Sequence, residues 1–116
     1  LKGSQALPHV EVFKFDLADT KSLHINTFAG DIQQPSKVQV KVKGLDFSKN
    51  YFIFTLEWTA SKLVWKVNGY TVFETSQQVP QIPLFLNIAS GVQAHKQSLN
   101  GNNDLAVDWV RVYQWR

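Results

Sequence analysis

Asn68-Gly69 stands between two runs that alternate apolar and polar residues, Lys62–Val67 and Tyr70–Glu74. A two-residue connection with positive φ at both positions matches the twist of an antiparallel strand pair, and Asn-Gly tolerates it best. The dipeptide therefore predicts a β-hairpin. The same period of two recurs along the chain. In Lys37–Lys43, Val38, Val40 and Val42 face one way, while Lys37, Gln39, Lys41 and Lys43 face water. In Tyr51–Thr59, Phe52, Phe54, Leu56 and Trp58 share a face opposite Tyr51, Ile53, Thr55 and Glu57. Lys21–Phe28 reads as a further strand. Ile82–Ala89 is apolar on both faces apart from Asn87, the pattern of a central strand covered on both sides. Leu105–Trp115 is expected to close the chain as a strand.

Leu1–Leu7, Gly30–Ser36 and Gly91–Asp104 read as irregular or loop segments, and no internal repeat or helical stripe is present. About eight strands joined mostly by short turns predict one all-β domain over residues 1–116, a sandwich or jelly roll.

Composition narrows the classes. Hydrophobic residues are 44% and charged residues 18%, a balance that supports a packed core rather than disorder. No apolar run approaches the roughly 20 residues of a membrane span. The net charge of +3 is small and its lysines are scattered, which argues against a nucleic-acid groove. With no cysteine, disulfides and thiolate metal sites are excluded. His9, His24 and His95 lack metal-ligand spacing, so no zinc site is expected. Trp58, Trp65, Trp109 and Trp115 are expected in the core. The chain begins with Leu1 and contains no methionine, as expected of a processed or excised piece.

Pro8–Asp16 breaks the alternation. Its polar residues are His9 and Glu11, then Lys14 and Asp16, so the phase flips between Val12 and Phe13. One extra residue, a β-bulge near Phe13, returns His9, Glu11 and Lys14 to a single face. Bulges often lie beside active sites, where they re-aim a side chain. The plainer alternative is a solvent-facing polar set with an incidental Glu–Lys pair.

Three blocks carry a resemblance. Pro8–Phe15 is similar to a catalytic strand of pattern Glu-x-Asp-x-x-Glu. Tyr51–Gly69 resembles a Leu-Glu-Trp-Thr strand followed by one ending in Asp-Gly. Pro83–Gly91 with Ala106–Gln114 resembles a Leu-Asn-Leu-Ala-Val-Gly run and a closing Val-Asp-Tyr-Val-Arg-Val-Tyr-Gln strand. In this order they resemble the family 16 glycoside hydrolases, which act on β-glucans and galactans with a concanavalin-like jelly roll. The resemblance implies that fold, a polysaccharide or oligosaccharide partner and an extracellular or cell-envelope origin. It also implies a jelly roll substantially longer than this chain, with strands N-terminal to Pro8 that interleave with those present. A partial jelly roll exposes strand edges and an apolar face, so a homodimer closed by strand exchange is expected.

The departures from the family pattern bear on activity. Retaining hydrolysis needs two carboxyl groups about 5–5.5 Å apart. Here His9 stands at the nucleophile position, Glu11 at the helper Asp and Lys14 at the acid/base. An imidazole gives no glycosyl ester, and an ammonium with an ordinary pKa of about 10.4 is a poor acid for a leaving oxygen. His24–Gly30 is similar to a His-x-Asn-Thr-His-Trp-Gly strand, with Phe28 and Ala29 replacing residues that often touch sugar. The expectation is a degenerate domain that binds glycan through His9, Glu11, Lys14, Asn26, Phe28 and Asn87, with no intact catalytic pair. Two alternatives stay open: an active hydrolase completed by a partner or further segment, and a structural fragment without ligand. No cofactor is expected, apart from a structural calcium to which Asp108, matching a family Asp, would contribute.

Overall fold

A computed structural model describes residues 8–16, 18–28, 36–42, 44–88 and 106–114. The chain divides into two compact units, Leu1–Phe85 and Leu86–Arg116. The described residues of the first unit form seven strands: β1 (His9–Val10), β2 (Lys14–Asp16), β3 (Asp19–Phe28), β4 (Ser36–Lys41), β5 (Phe54–Trp58), β6 (Leu63–Val67) and β7 (Tyr70–Thr75). No helix occurs among the described residues. The fold is all-β, a jelly-roll sandwich fragment built from two antiparallel sheets.

In the first sheet β3 is central. It pairs with β1 and β2 along one edge and β4 along the other. In the second sheet β6 lies between β5 and β7. The hairpin predicted at Asn68-Gly69 joins β6 to β7, with φ of 50° and 85° at its two turn residues. The Asn68 carboxamide oxygen also accepts the Ile53 N–H at 2.8 Å, so the turn is tied to the entrance of β5.

Alternation decides which faces meet. Leu23 and Ile25 of β3 pack with Leu63, Trp65 and Val67 of β6, together with Phe47 and Val79 from the connections. Phe13 stacks on Phe54 with ring centroids 4.2 Å apart, bridging the two sheets. Leu63 and Trp65 are 0% and 1% exposed, and full burial of a large apolar side chain contributes about 1.5–3 kcal/mol. On the other face of β5 and β6, beside the buried Val64, the part-exposed Glu57 carboxylate pairs with the Lys66 ammonium at 3.1 Å.

Two expected strands are absent over their described residues. Ile82–Ile88 takes no place in a ladder, and Ile82, Phe85, Leu86 and Ile88 are exposed. Residues 106–114 likewise carry no strand, and Val107, Val110, Val112 and Tyr113 are exposed. A strand covered on both faces needs hydrogen-bonded neighbours and packed layers. The described residues supply neither to these stretches. Trp109 is also exposed rather than in the core, with the Arg111 guanidinium 4.8 Å from its ring centroid. Trp65 is in the core and Trp58 is half-buried, its indole N–H donating to the Pro80 carbonyl at 3.0 Å. Trp115, and the loops expected over 1–7, 30–35 and 91–104, lie outside the described residues.

Candidate functional site

The first strand carries one more residue than its neighbour. Val10 is opposite Thr27 and Lys14 is opposite His24. Between those pairs Glu11, Val12 and Phe13 face only Ile25 and Asn26. The extra residue falls where the phase of the sequence flips. Without it Lys14 would point to the core side with Val10; with it Lys14 shares a face with His9.

That face is the polar side of β3. His9 is opposite Phe28, and the Glu11 N–H donates to the Asn26 carbonyl at 2.9 Å. On the other edge, His24 is opposite Gln39 and Ser22 opposite Lys41. The register thus brings His9, Glu11 and Lys14 along one border of a face whose middle row is Ser22, His24, Asn26 and Phe28. Gln39 and Lys41 occupy the far border. The reverse side of β3 presents Leu23, Ile25 and Thr27 to the core.

The bulge is held from beneath. A bulge takes backbone groups out of the ladder, and the Glu11 carbonyl instead accepts the Trp65 indole N–H at 2.9 Å. The Thr27 hydroxyl, fully buried, donates to the Gln78 carbonyl at 2.5 Å. Both bonds tie the β3 side of the sandwich to the second sheet or its exit.

The polar face has its own network. The Ser22 hydroxyl donates to the Asp19 carboxylate at 2.6 Å, and the Gln39 amide reaches Ser22 at 2.9 Å and Asp19 at 3.5 Å. The Asp19 carboxyl is held below its ordinary value of 3.8, chiefly by the Ser22 hydroxyl, then by the Lys21 N–H and the charges of Lys41 and His24, against a smaller opposing effect of burial. Asn26 Oδ1 is buried and has no hydrogen-bond partner. Ser22, Gln39 and Lys41 were not among the residues singled out from sequence, although each has the parity of Asn26 or of its partner on β4.

The candidates differ in placement. Phe28 is 7% exposed and its ring lies 6.0 Å from that of His9, tilted by 43°. Most of it is therefore committed to packing. Asn87 is exposed in the second unit and no strand register fixes it. Asp108 is exposed, and among the described residues no three His, Asp or Glu side chains gather to hold a metal ion.

Chemically, the bulge groups one carboxylate, Glu11, with a lysine and an imidazole. Retaining hydrolysis uses two carboxyl groups. The grouped residues can donate and accept hydrogen bonds to hydroxyls, and an aromatic ring lies beneath one end.

No curated protein matches the chain. The family model described as Glycosyl hydrolases family 16 matches residues 11–111, a stretch that includes Glu11 and Lys14 and starts two residues after His9. With nearly its whole length matched, and with two antiparallel sheets of the sandwich type, the chain belongs to glycosyl hydrolases family 16.

Proposed function

We propose that this chain binds a polysaccharide of the β-glucan or galactan class without cleaving it, on the polar face of β1, β2 and β3. One observation carries the reading. The bulged register groups one carboxylate, Glu11, with His9 and Lys14, where double displacement uses two; the further acids of the ladder, Asp16 and Asp19, already accept the Ala18 N–H and the Ser22 hydroxyl. Hydrogen bonds from His9, Glu11, Lys14 and Asn26 would hold sugar hydroxyls, with the edge of Phe28 as a further contact. Polysaccharide as ligand also supports an extracellular or envelope setting.

The proposed assembly is a homodimer closed by strand exchange. Phe85, Leu86, Ile88, Val107 and Val112 are exposed large apolar side chains in stretches that alternate or read as buried strands. Exposed apolar side chains on strand-like stretches are what pairing with another chain would cover. A mass of two chains by light scattering supports the dimer, and a mass of one chain removes it.

Affinity gel electrophoresis against β-glucans and galactans, alongside reducing-sugar release, tests the binding reading. Retardation without product is the expected result. Product release that disappears in Glu11→Gln would return the chain to the hydrolases. Neither retardation nor product would leave a purely structural fragment.

A further inference from the structure

We infer that the polar face of the β2–β3–β4 ladder selects glycans bearing negative charge, uronate carboxylates or sulfate esters, over neutral ones. This rests on the carbohydrate-binding reading above. The ladder sets cationic residues on both borders of one face. Lys14 is the Cα partner of His24, which is in turn the partner of Gln39; Lys41 is the partner of Ser22, two residue pairs further along. At about 4.8 Å between neighbouring strands, the backbones at Lys14 and Lys41 stand on the order of 10 Å apart with His24 between them.

Three acids lie beside this set and they are not equivalent: Asp16, whose carboxylate accepts the Ala18 N–H at 2.8 Å, Asp19 and Glu11. Asp19 already accepts from the Ser22 hydroxyl, the Lys21 N–H and the Gln39 amide. Its charge is largely met within the ladder. Among the described residues Glu11 forms no ion pair within 4 Å, and neither does Lys14, whose side chain is exposed. An exposed ammonium without an internal partner can take a carboxylate or sulfate from solution at no cost to an existing bond. A neutral glycan would leave these ammonium groups in water and gain only its hydroxyl contacts. The buried, unpartnered Asn26 Oδ1 adds an acceptor for a sugar hydroxyl in the same row.

The full chain is run in affinity gels containing a neutral β-glucan, a neutral galactan, a uronate polysaccharide or a sulfated polysaccharide, with single-stranded nucleic acid as a competitor of another class. The expected result is half-retardation by a charged glycan at a concentration at least about fivefold lower than by either neutral one, the scale of one exposed charge pair. Which of the two charged gels retards it more assigns the anion as uronate or sulfate. Lys14→Gln and Lys41→Gln should each weaken this binding about two- to fivefold, and Glu11→Gln should strengthen it. Lys62→Gln, on an exposed residue beside β6, should leave it unchanged.

Equal retardation by neutral and charged glycans overturns the charge preference and leaves the carbohydrate-binding reading standing. No retardation by any polysaccharide overturns both. Equal loss in Lys62→Gln, or competition by nucleic acid as strong as by a charged glycan, shows attraction of the whole basic chain and overturns the assignment to this face.

Discussion

The indole N–H of Trp65, in the core of one sheet, donates to the carbonyl of Glu11, in the bulge of the other, at 2.9 Å. The bond joins residues 54 positions apart. It satisfies a carbonyl that the bulge removes from the ladder, and it does so from the side opposite the polar face. The core thereby fixes the height and direction of the backbone that carries Glu11.

Trp65→Phe keeps an aromatic ring in the core and deletes only the donor and part of the volume. A buried carbonyl left without a partner costs about 1–3 kcal/mol. Urea unfolding should show the free energy of unfolding fall by that amount, and affinity for glycan should fall with it as the bulge loosens. An unchanged midpoint would mean that water or another donor replaces the indole and that the bulge does not depend on it.

Gly69→Ala tests the hairpin by backbone conformation alone. A methyl group there meets nothing within 4 Å, but φ is 85°. The left-handed region costs an ordinary L-residue about 1–2 kcal/mol. Thermal unfolding should show a loss of that size with no change in the polar face's affinity. A neutral result would show that the turn relaxes to another type at no expense.

The period of two made the hairpin and β3 to β7 legible, because alternation is a property of the covalent chain. The bulge was legible for the same reason: the phase slips between Val12 and Phe13, and Lys14 lands opposite His24. Apolarity on both faces of Ile82–Ala89 was legible too, yet it specifies a need for cover without supplying it. Hence Phe85 and Leu86 stand exposed and unladdered. The bonds of Trp65 to Glu11 and Thr27 to Gln78 span 54 and 51 residues, and nothing in a local window announces them. Ser22, Gln39 and Lys41 had the right parity on β3 and β4, but only the pairing of those strands puts them on the face with Asn26.

Acid should loosen the loop that follows β4. The Asp46 carboxyl is lowered from 3.8 to about 2, first by the Ser48 hydroxyl, then by the Ser48 N–H and the Thr20 hydroxyl. Its folded value lies below its unfolded one, so its stabilising contribution is fully present above 3.8 and is lost as pH falls toward about 2. Asp19 shifts in the same direction. Urea midpoints measured down through this window should fall for the native chain and fall less for Asp46→Asn. Parallel slopes for the two would remove Asp46 from the acid response.

Asn26→Leu separates a residue kept for binding from one kept for folding. Its Oδ1 is buried without a partner, a state that costs about 1–3 kcal/mol of desolvation. Replacing it with an apolar side chain of similar size removes that cost, while the backbone carbonyl that holds the Glu11 N–H stays in place. The variant should be at least as stable as the native chain in urea, and its glycan affinity should drop about fivefold, near the 1 kcal/mol of one hydrogen bond. Stability lost together with affinity would show that the carboxamide supports the fold. Stability gained with affinity intact would show that sugar does not touch this row of β3. Only stability held or gained, with affinity lost, fits an acceptor that waits for a hydroxyl from outside the chain.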